Sequence, residues 1–215
     1  MNAILVTSGF LIGYFFGCFQ TSYFISKKFG NKDIREMGSG NAGASNVTSE
    51  MGWKFGIFTG ISDILKAFLS AKLILLIFPG SCEQVELMVF AGTGAVLGHI
   101  FPFFMGFRGG KGIACYLGLL LAIDWKIGFA AIILLTLLTI ITDYISVGSI
   151  LLYLLVPPLA YYSGDYSAIV IGCTIILLIV GMVKHWINIK RIINGTEKGL
   201  RSVLYKDNIN NCGNN

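Results

Sequence analysis

AIVIGCTIILLIVGMV, at residues 168–183, contains no charged residue and is followed directly by Lys184. An α-helix needs about 20 mostly apolar residues to cross the hydrocarbon core of a bilayer, so this stretch has the composition of a membrane span. The rest of the chain is similar, since 55% of its 215 residues are hydrophobic, 13% are charged and the mean hydropathy is +0.76. Soluble domains carry roughly 25% charged residues. The sequence therefore predicts an all-α integral membrane protein.

Apolar runs of comparable length divide the chain into predicted spans. The stretch 113–123 is too short to span upright, so 113–142 is either one long tilted helix or two helices broken at Asp124 to Lys126. No linker rich in proline or serine interrupts the series, which predicts one membrane domain over 1–215 with a disordered tail at about 199–215. The other predicted spans are 3–25, 55–78, 87–105, 127–142, 147–162 and 168–184.

Basic residues in the connections predict the orientation. The connection after the first run is basic, 79–87 has no lysine or arginine, and Arg108 and Lys111 follow the third run. By the positive-inside rule these connections are cytoplasmic, external and cytoplasmic, and the basic tail after Lys184 is cytoplasmic too. An even number of crossings must separate Lys111 from Lys184, which favours the break near Asp124. We predict about seven transmembrane helices, with the N-terminus outside and the C-terminus cytoplasmic.

The net charge of +5 follows from this topology and from attraction to anionic lipid headgroups. No nucleic-acid partner is expected. The five cysteines lack the short paired spacings of zinc sites or a disulfide framework, so no metal is expected either.

The first polar segment reads DIREMGSGNAGASN at residues 33–46. Its small residues and amides allow tight turns that present N–H groups and hydroxyls to an anion. A flexible surface loop is the alternative. The interleaving of Arg35 and two asparagines with the glycines favours an anion site.

The second segment reads GHIFPFFMGFRGGKGIAC at residues 98–115. Gly109, Gly110, Lys111 and Gly112 immediately precede an apolar run, which places them at a helix N-terminus. Free N–H groups, the helix dipole and the lysine ammonium would meet there and favour a phosphate. The segment is not a Walker A loop, because glycine rather than serine or threonine follows the lysine.

The third segment reads KHWINIKRIINGTE at residues 184–197. His185 and Asn188 lie three residues apart and share a helix face. His185 is either a catalyst or a satisfied hydrogen-bonding group. Within the span 55–78, Asp63 and Lys66 form either a structural pair that tethers the loops or a direct substrate contact.

Together these segments resemble the bacterial membrane acyl-phosphate:glycerol-3-phosphate acyltransferases, the PlsY family. The resemblance implies transfer of a fatty acyl group from acyl phosphate to the 1-hydroxyl of glycerol 3-phosphate. The products would be lysophosphatidic acid and phosphate, formed in phospholipid biosynthesis at the bacterial cell membrane. The matching stretches, in family order and spacing, are Asp33 to Val47, Asp63 to Lys66, Gly98 to Ala114 and His185 to Glu197.

The resemblance and the loop chemistry together suggest roles for individual residues. Ser39, His185 and Asn188 are expected to be catalytic, while Asp63, Lys66 and Glu197 support the site. Phosphate would be bound by Gly109, Gly110, Lys111, Gly112, Asn41 and Arg35. The chain departs from the family at Ser49 and Trp186, where the family has arginines, and at Cys115, where it has a threonine.

Acyl phosphate is a mixed anhydride that needs positioning rather than further activation, so no cofactor is expected. No serine or cysteine is paired with a base, which predicts that no acyl-enzyme forms. The proton acceptor is either His185 or a substrate phosphate. The resemblance also suggests a soluble acyl-phosphate synthase as donor supplier. Two alternatives stay open: a weakly active or inactive paralogue with a lipid-binding or regulatory role, and a transporter of a phosphorylated solute.

Overall fold

The computed structural model describes residues 3–202, and no strand occurs in that range. The predicted all-α fold is therefore confirmed for this part of the chain. Short 3-10 turns at Ile34–Glu36 and Phe103–Met105 accompany the helices. The helices are α1 (Ala3–Cys18), α2 (Thr21–Gly30), α3 (Ala44–Met51), α4 (Trp53–Ile77), α5 (Gln84–Ile100), α6 (Ile113–Ile123), α7 (Trp125–Thr142), α8 (Ile145–Ser163) and α9 (Ala168–Ile193).

Five helical segments of the described chain are long and apolar enough to cross a membrane. α4 is not among them, since it carries Asp63, Lys66 and Lys72 along its length, and α6 has only 11 residues. The prediction of a multi-pass helical protein agrees with these segments. They are Ala3–Gly30, Gln84–Met105, Trp125–Thr142, Ile145–Ser163 and Ala168–Ile193.

The chain breaks at Asp124, as one of the two alternatives predicted. The Asp124 carboxylate accepts a hydrogen bond of 2.7 Å from the backbone N–H of Lys126, which caps the start of α7. At the other end of the bundle the last helix extends beyond the predicted span 168–184. α9 continues to Ile193 and so carries His185 and Asn188 on a regular helix.

Glycines allow α1 and α5 to pack with their backbones in contact. A Cβ atom at Gly13 or Gly17 of α1 would overlap the backbone of Ala91 or Ala95 of α5. In return, a Cβ at Gly94 would overlap the backbone of Phe10. Small residues spaced four apart are the usual means of such close packing in membranes. α5 is the central helix, since 12 of its 17 residues are buried, against 4 of the 18 residues of α7.

The three polar segments meet at one end of the bundle, here called the motif end. The Arg35 guanidinium donates to the Met105 carbonyl, and Lys111 contacts Asn188. The start of the tail predicted to be disordered also lies there, because the Leu200 N–H donates to the Asp143 carbonyl at 2.7 Å. The disorder of 199–215 stays a prediction, since residues 203–215 lie outside the described part.

Gly94→Ala should lower the free energy of unfolding by about 1 to 3 kcal/mol, because the added methyl group forces α1 away from α5. Gly172→Ala in α9 is the matched control, since no atom lies within 4 Å of its added Cβ. This control should leave stability unchanged or raise it by up to about 1 kcal/mol. Thermal unfolding in detergent measures both variants. Equal stabilities would contradict the close packing of α1 on α5.

Candidate active site

The glycine loop, residues 106–112, connects α5 to α6 and is held by the end of α5. The Gly109 N–H donates to the Ile100 carbonyl and the Gly110 N–H donates to the His99 carbonyl, each at 3.1 Å. These two N–H groups therefore have backbone partners, whereas the sequence suggested that they were free for a phosphate. Gly112 has a φ of +86°, which favours glycine, and it caps the N-terminus of α6. The two earlier glycines shape the loop, which leaves Lys111 and the start of α6 as its groups able to meet an anion.

Lys111 begins a chain of polar contacts that crosses to α9. Its Nζ donates to Asn188 Oδ1 at 2.5 Å, and Asn188 Nδ2 donates to Glu197 Oε1 at 2.6 Å. The Ser146 hydroxyl donates to the same Glu197 oxygen at 3.0 Å. Glu197 thereby fixes the orientation of the Asn188 amide, so that its oxygen faces the lysine. Sequence reasoning missed Ser146, whose position at the start of α8 gave no signal of its own.

Burial lowers the pKa of Lys111 to about 8, and the positive charge of Arg191 acts in the same direction. The carboxylate of Glu197 opposes this shift. Lys111 is therefore a cation near neutral pH that has been partly stripped of water. Such a group binds an anion more strongly than an exposed lysine would.

His185 lies one helical turn before Asn188 and is also buried. Its Nδ1 lies 2.8 Å from the Gly181 carbonyl. A carbonyl only accepts, so Nδ1 carries the proton and Nε2 keeps its lone pair in the neutral ring. Nε2 is thus able to take up a proton, as a general base requires.

The first polar segment is organised by Asn46 rather than by Asn41. The Asn46 Oδ1 accepts from the Ser39 N–H at 2.9 Å, and its Nδ2 donates to the carbonyls of Ile34 and Met37. These bonds hold a turn in which Gly38 and Gly40 have positive φ angles. Asn41 lies at the end of this turn. The adjacent Ala42 carbonyl would be 3.0 Å from a Cβ at Gly110, so the first segment borders the glycine loop.

Arg35 supports this turn instead of facing open space. Its Nε and Nη2 bond the two oxygens of Asp33 at 3.0 and 2.7 Å, and its Nη1 donates to the Met105 carbonyl at 2.6 Å. The same bonds lower the pKa of Asp33. The sequence suggested that Arg35 binds phosphate, whereas the structure has its guanidinium engaged within the protein.

The three departures from the family pattern have different surroundings. The Ser49 hydroxyl donates to Glu50, whose carboxylate lies 3.9 Å from the Lys198 ammonium at the motif end. Trp186 is 58% exposed on the outer face of α9, with the Lys190 ammonium over its ring. Cys115 is fully buried in the bundle. Glu50, the hydrogen-bond partner of Ser49, borders the turn around Gly38, because a Cβ at Gly38 would meet its carboxylate.

Asp63 and Lys66 form a buried ion pair with 2.7 Å between Oδ1 and Nζ. The Lys66 Nζ also donates to the Phe19 carbonyl at 2.7 Å and lies 2.9 Å from His99 Nδ1. Since an ammonium only donates, Nδ1 of His99 accepts and its Nε2 carries the proton. The His99 carbonyl in turn holds the Gly110 N–H. This network links the ion pair to the glycine loop, as the structural interpretation of the pair requires.

Donor atoms of Asp63, His99 and Cys115 lie within 4.8 Å of one another, a spacing compatible with a metal ion. However, the Lys66 ammonium already occupies the position between Asp63 and His99. A second cation there would be repelled by Lys66, because the single Asp63 carboxylate already balances the charge of that ammonium. We therefore assign no metal to this cluster.

Comparison with known proteins gives consistent matches over most of the chain. The sequence profile of the glycerol-3-phosphate acyltransferase family matches residues 7–195. Glycerol-3-phosphate acyltransferase 1 of Oceanobacillus iheyensis is 38% identical over 202 residues, which cover 91% of this chain and 95% of that protein. The glycerol-3-phosphate acyltransferase of Brucella anthropi is 36% identical, with coverage of 91% and 93%.

Two solved structures are also similar. The crystal structure of PlsY (YgiH), an integral membrane glycerol 3-phosphate acyltransferase, in its glycerol 3-phosphate form has a TM-score of 0.78 and 29% identity. That match covers 92% of this chain and 94% of the PlsY chain. The lysophosphatidic acid form of PlsY has a TM-score of 0.76 and 28% identity, with coverage of 93% and 98%.

Asp63→Leu should lower the free energy of unfolding by about 3 to 5 kcal/mol, because it leaves the Lys66 ammonium buried without its carboxylate. The double variant Asp63→Leu with Lys66→Met removes both charges, so its loss should be smaller than the sum of the two single losses. Denaturation of the wild type, the two single variants Asp63→Leu and Lys66→Met, and the double variant in detergent measures this coupling. Additive losses would show that the two charges of α4 do not stabilise each other in the bundle.

Proposed function

This chain belongs to the glycerol-3-phosphate acyltransferase family, and we propose that it transfers a fatty acyl group from acyl phosphate to the 1-hydroxyl of glycerol 3-phosphate. The products are lysophosphatidic acid and inorganic phosphate. The chain is a multi-pass membrane enzyme of the acyltransferase class, as its relatives and its apolar helices indicate. The observation that carries the proposal is the half-buried Lys111 cation, directed at Asn188 at the motif end.

The reaction requires two phosphorylated substrates to be held side by side. The 1-hydroxyl oxygen of glycerol 3-phosphate attacks the acyl carbonyl carbon, and the bond from that carbon to the phosphate oxygen breaks. The hydroxyl proton passes to His185 Nε2 or to a substrate phosphate, whose second pKa is about 6. Since the anhydride is already activated, most of the acceleration comes from alignment of the hydroxyl with the carbonyl. No covalent enzyme intermediate is needed.

We assign the catalytic roles to Ser39, His185 and Asn188. Lys111 binds the phosphate of glycerol 3-phosphate, together with the start of α6 and with Asn41. Gly109, Gly110 and Gly112 give the loop its shape. Arg35 is better assigned to support of the polar turn, because Asp33 and the Met105 carbonyl occupy its donors.

The proposed topology has seven crossings, with the N-terminus outside and the motif end in the cytoplasm. α1 and α2 together make one crossing, and α4 to α9 make one each. The break at Asp124 supports this count, since it separates α6 from α7. The basic residues at the ends of α2 and α9 support the orientation.

A cytoplasmic motif end also fits the supply of the donor. The acyl chain would stay in the bilayer and enter between helices, while the phosphate reaches the site from the aqueous side. We propose that a soluble acyl-phosphate synthase delivers the donor there.

Purified protein in lipid should release phosphate when given acyl phosphate and glycerol 3-phosphate. Lys111→Ala should lower kcat/KM for glycerol 3-phosphate by about 100-fold or more, since it removes a partly buried, charge-assisted contact to phosphate. Lys126→Ala is the matched control, because Lys126 is exposed at the start of α7. It should retain full activity.

A wild-type rate no higher than that of Lys111→Ala would contradict the enzymatic assignment. It would favour the paralogue with a lipid-binding or regulatory role.

The pH dependence of kcat/KM should show a loss above about pH 8, because Lys111 is charged below its pKa and becomes neutral above it. Arginine stays protonated throughout this range. Lys111→Arg should therefore move the basic limb to higher pH, although its maximum falls because the guanidinium has a different shape. A basic limb that stays in place in the arginine variant would show that another group titrates.

A further inference from the structure

Two tyrosines stack inside the bundle directly beneath the glycine loop. Tyr116 of α6 and Tyr153 of α8 are both fully buried, and their ring centroids lie 4.8 Å apart with 13° between the ring planes. The two rings belong to one apolar cluster with Val96, Ile100 and Leu177. The two rings are therefore equally buried and share one apolar cluster.

The two hydroxyls differ. The Tyr153 hydroxyl donates to the backbone carbonyl of Lys111 at 3.1 Å, across 42 residues of sequence. The Tyr116 hydroxyl has no hydrogen-bond partner within residues 3–202. A buried hydroxyl usually finds a partner, so the bond of Tyr153 distinguishes it within the stack.

The bond from Tyr153 fixes the peptide that aims Lys111. The Lys111 carbonyl precedes Gly112, where the backbone turns through a positive φ into α6. A Cβ at Gly112 would come within 3.0 Å of the Tyr153 hydroxyl, so the turn is packed against this oxygen. On its other side the loop is held by the carbonyls of His99 and Ile100. Tyr153 is thus the contact from α8 that prevents the Lys111 peptide from rotating.

The ring of Tyr153 reaches the other half of the site. It lies against Gly181 of α9, where a Cβ would meet three of its ring carbons. Its centroid is also 6.0 Å from the His185 ring. Tyr153 therefore contacts the loop that carries Lys111 and the helix that carries His185 and Asn188.

We propose that Tyr153 is a positioning residue, whose hydroxyl sets the place of Lys111 relative to Asn188 and so determines the affinity for glycerol 3-phosphate. This inference rests on the proposed function and adds to it a residue that does not touch substrate. The Tyr153 hydroxyl acts only through the Lys111 peptide, so its removal should affect one substrate. The KM for acyl phosphate should be unaffected, because we assign Lys111 to the phosphate of glycerol 3-phosphate.

The test compares Tyr153→Phe with Tyr116→Phe, which removes the same atom from the other ring of the stack. Tyr153→Phe should raise KM for glycerol 3-phosphate by about tenfold, because the Lys111 carbonyl loses its buried partner. Its kcat and its KM for acyl phosphate should stay within about twofold of wild type, a change too small to count as a lost hydrogen bond. Tyr116→Phe should match wild type in all three constants.

Other outcomes would overturn the inference. Equal changes in both variants would assign the effect to the ring stack rather than to the hydroxyl. A fall in kcat alone would indicate a smaller fraction of folded enzyme, since that loss leaves KM unchanged.

Calorimetric binding of glycerol 3-phosphate to the same proteins separates this inference from the proposed function. A wild-type protein without turnover overturns the proposed function, and the dissociation constants then decide the role of Tyr153. Weaker binding by Tyr153→Phe than by Tyr116→Phe would support it. Equal binding, or no binding by any of the three proteins, would overturn it.

Discussion

The Lys66 ammonium joins separate parts of the bundle at one buried point. It pairs with Asp63 on its own helix, donates to the Phe19 carbonyl at the break between α1 and α2, and donates to His99 on α5. Buried charges are costly, and replacement by apolar side chains is often neutral for stability. Here the ion pair fixes the position of α4 relative to α5 and to the break between α1 and α2. The His99 carbonyl holds Gly110, so the position of Lys66 is transmitted to the glycine loop.

From that loop outward, the site is built by contacts between elements distant in sequence. Lys111 meets Asn188 across 77 residues, and Glu197 is shared by Asn188 and Ser146. The amide and the carboxylate orient each other before substrate arrives, which reduces the rearrangement needed during the reaction. A partly dehydrated lysine at the end of this chain suits an anionic substrate approaching from water. The acyl donor, in contrast, suits a bundle embedded in lipid.

Much of the fold could be predicted from sequence, because a backbone that crosses lipid has few alternatives to the α-helix. The apolar runs then mark the length of each helix. The break at Asp124 followed from counting crossings between basic loops. The spacing of Gly13 and Gly17 in α1, matched by Gly94 and Gly98 in α5, also lay in the sequence and could have indicated their contact.

The site was less predictable in its details. The residue types were recognisable, but hydrogen-bond partners were not, because they depend on three-dimensional neighbours. Thus Gly110 donates to His99 and Arg35 binds Asp33, whereas both had been expected to face phosphate. Asn46 was noted only as one of two asparagines in the first segment, and Tyr153 lies in an apolar stretch that gave no reason to single out its side chain. Their roles appear only when α3 and α8 are packed against the rest.

An experimental structure with glycerol 3-phosphate bound would test the central claim most directly. The account predicts the phosphate within hydrogen-bonding distance of Lys111 Nζ at the start of α6, with the 1-hydroxyl facing His185. A phosphate bound instead beside Lys198 and Glu50, with Lys111 still donating to Asn188 alone, would contradict it.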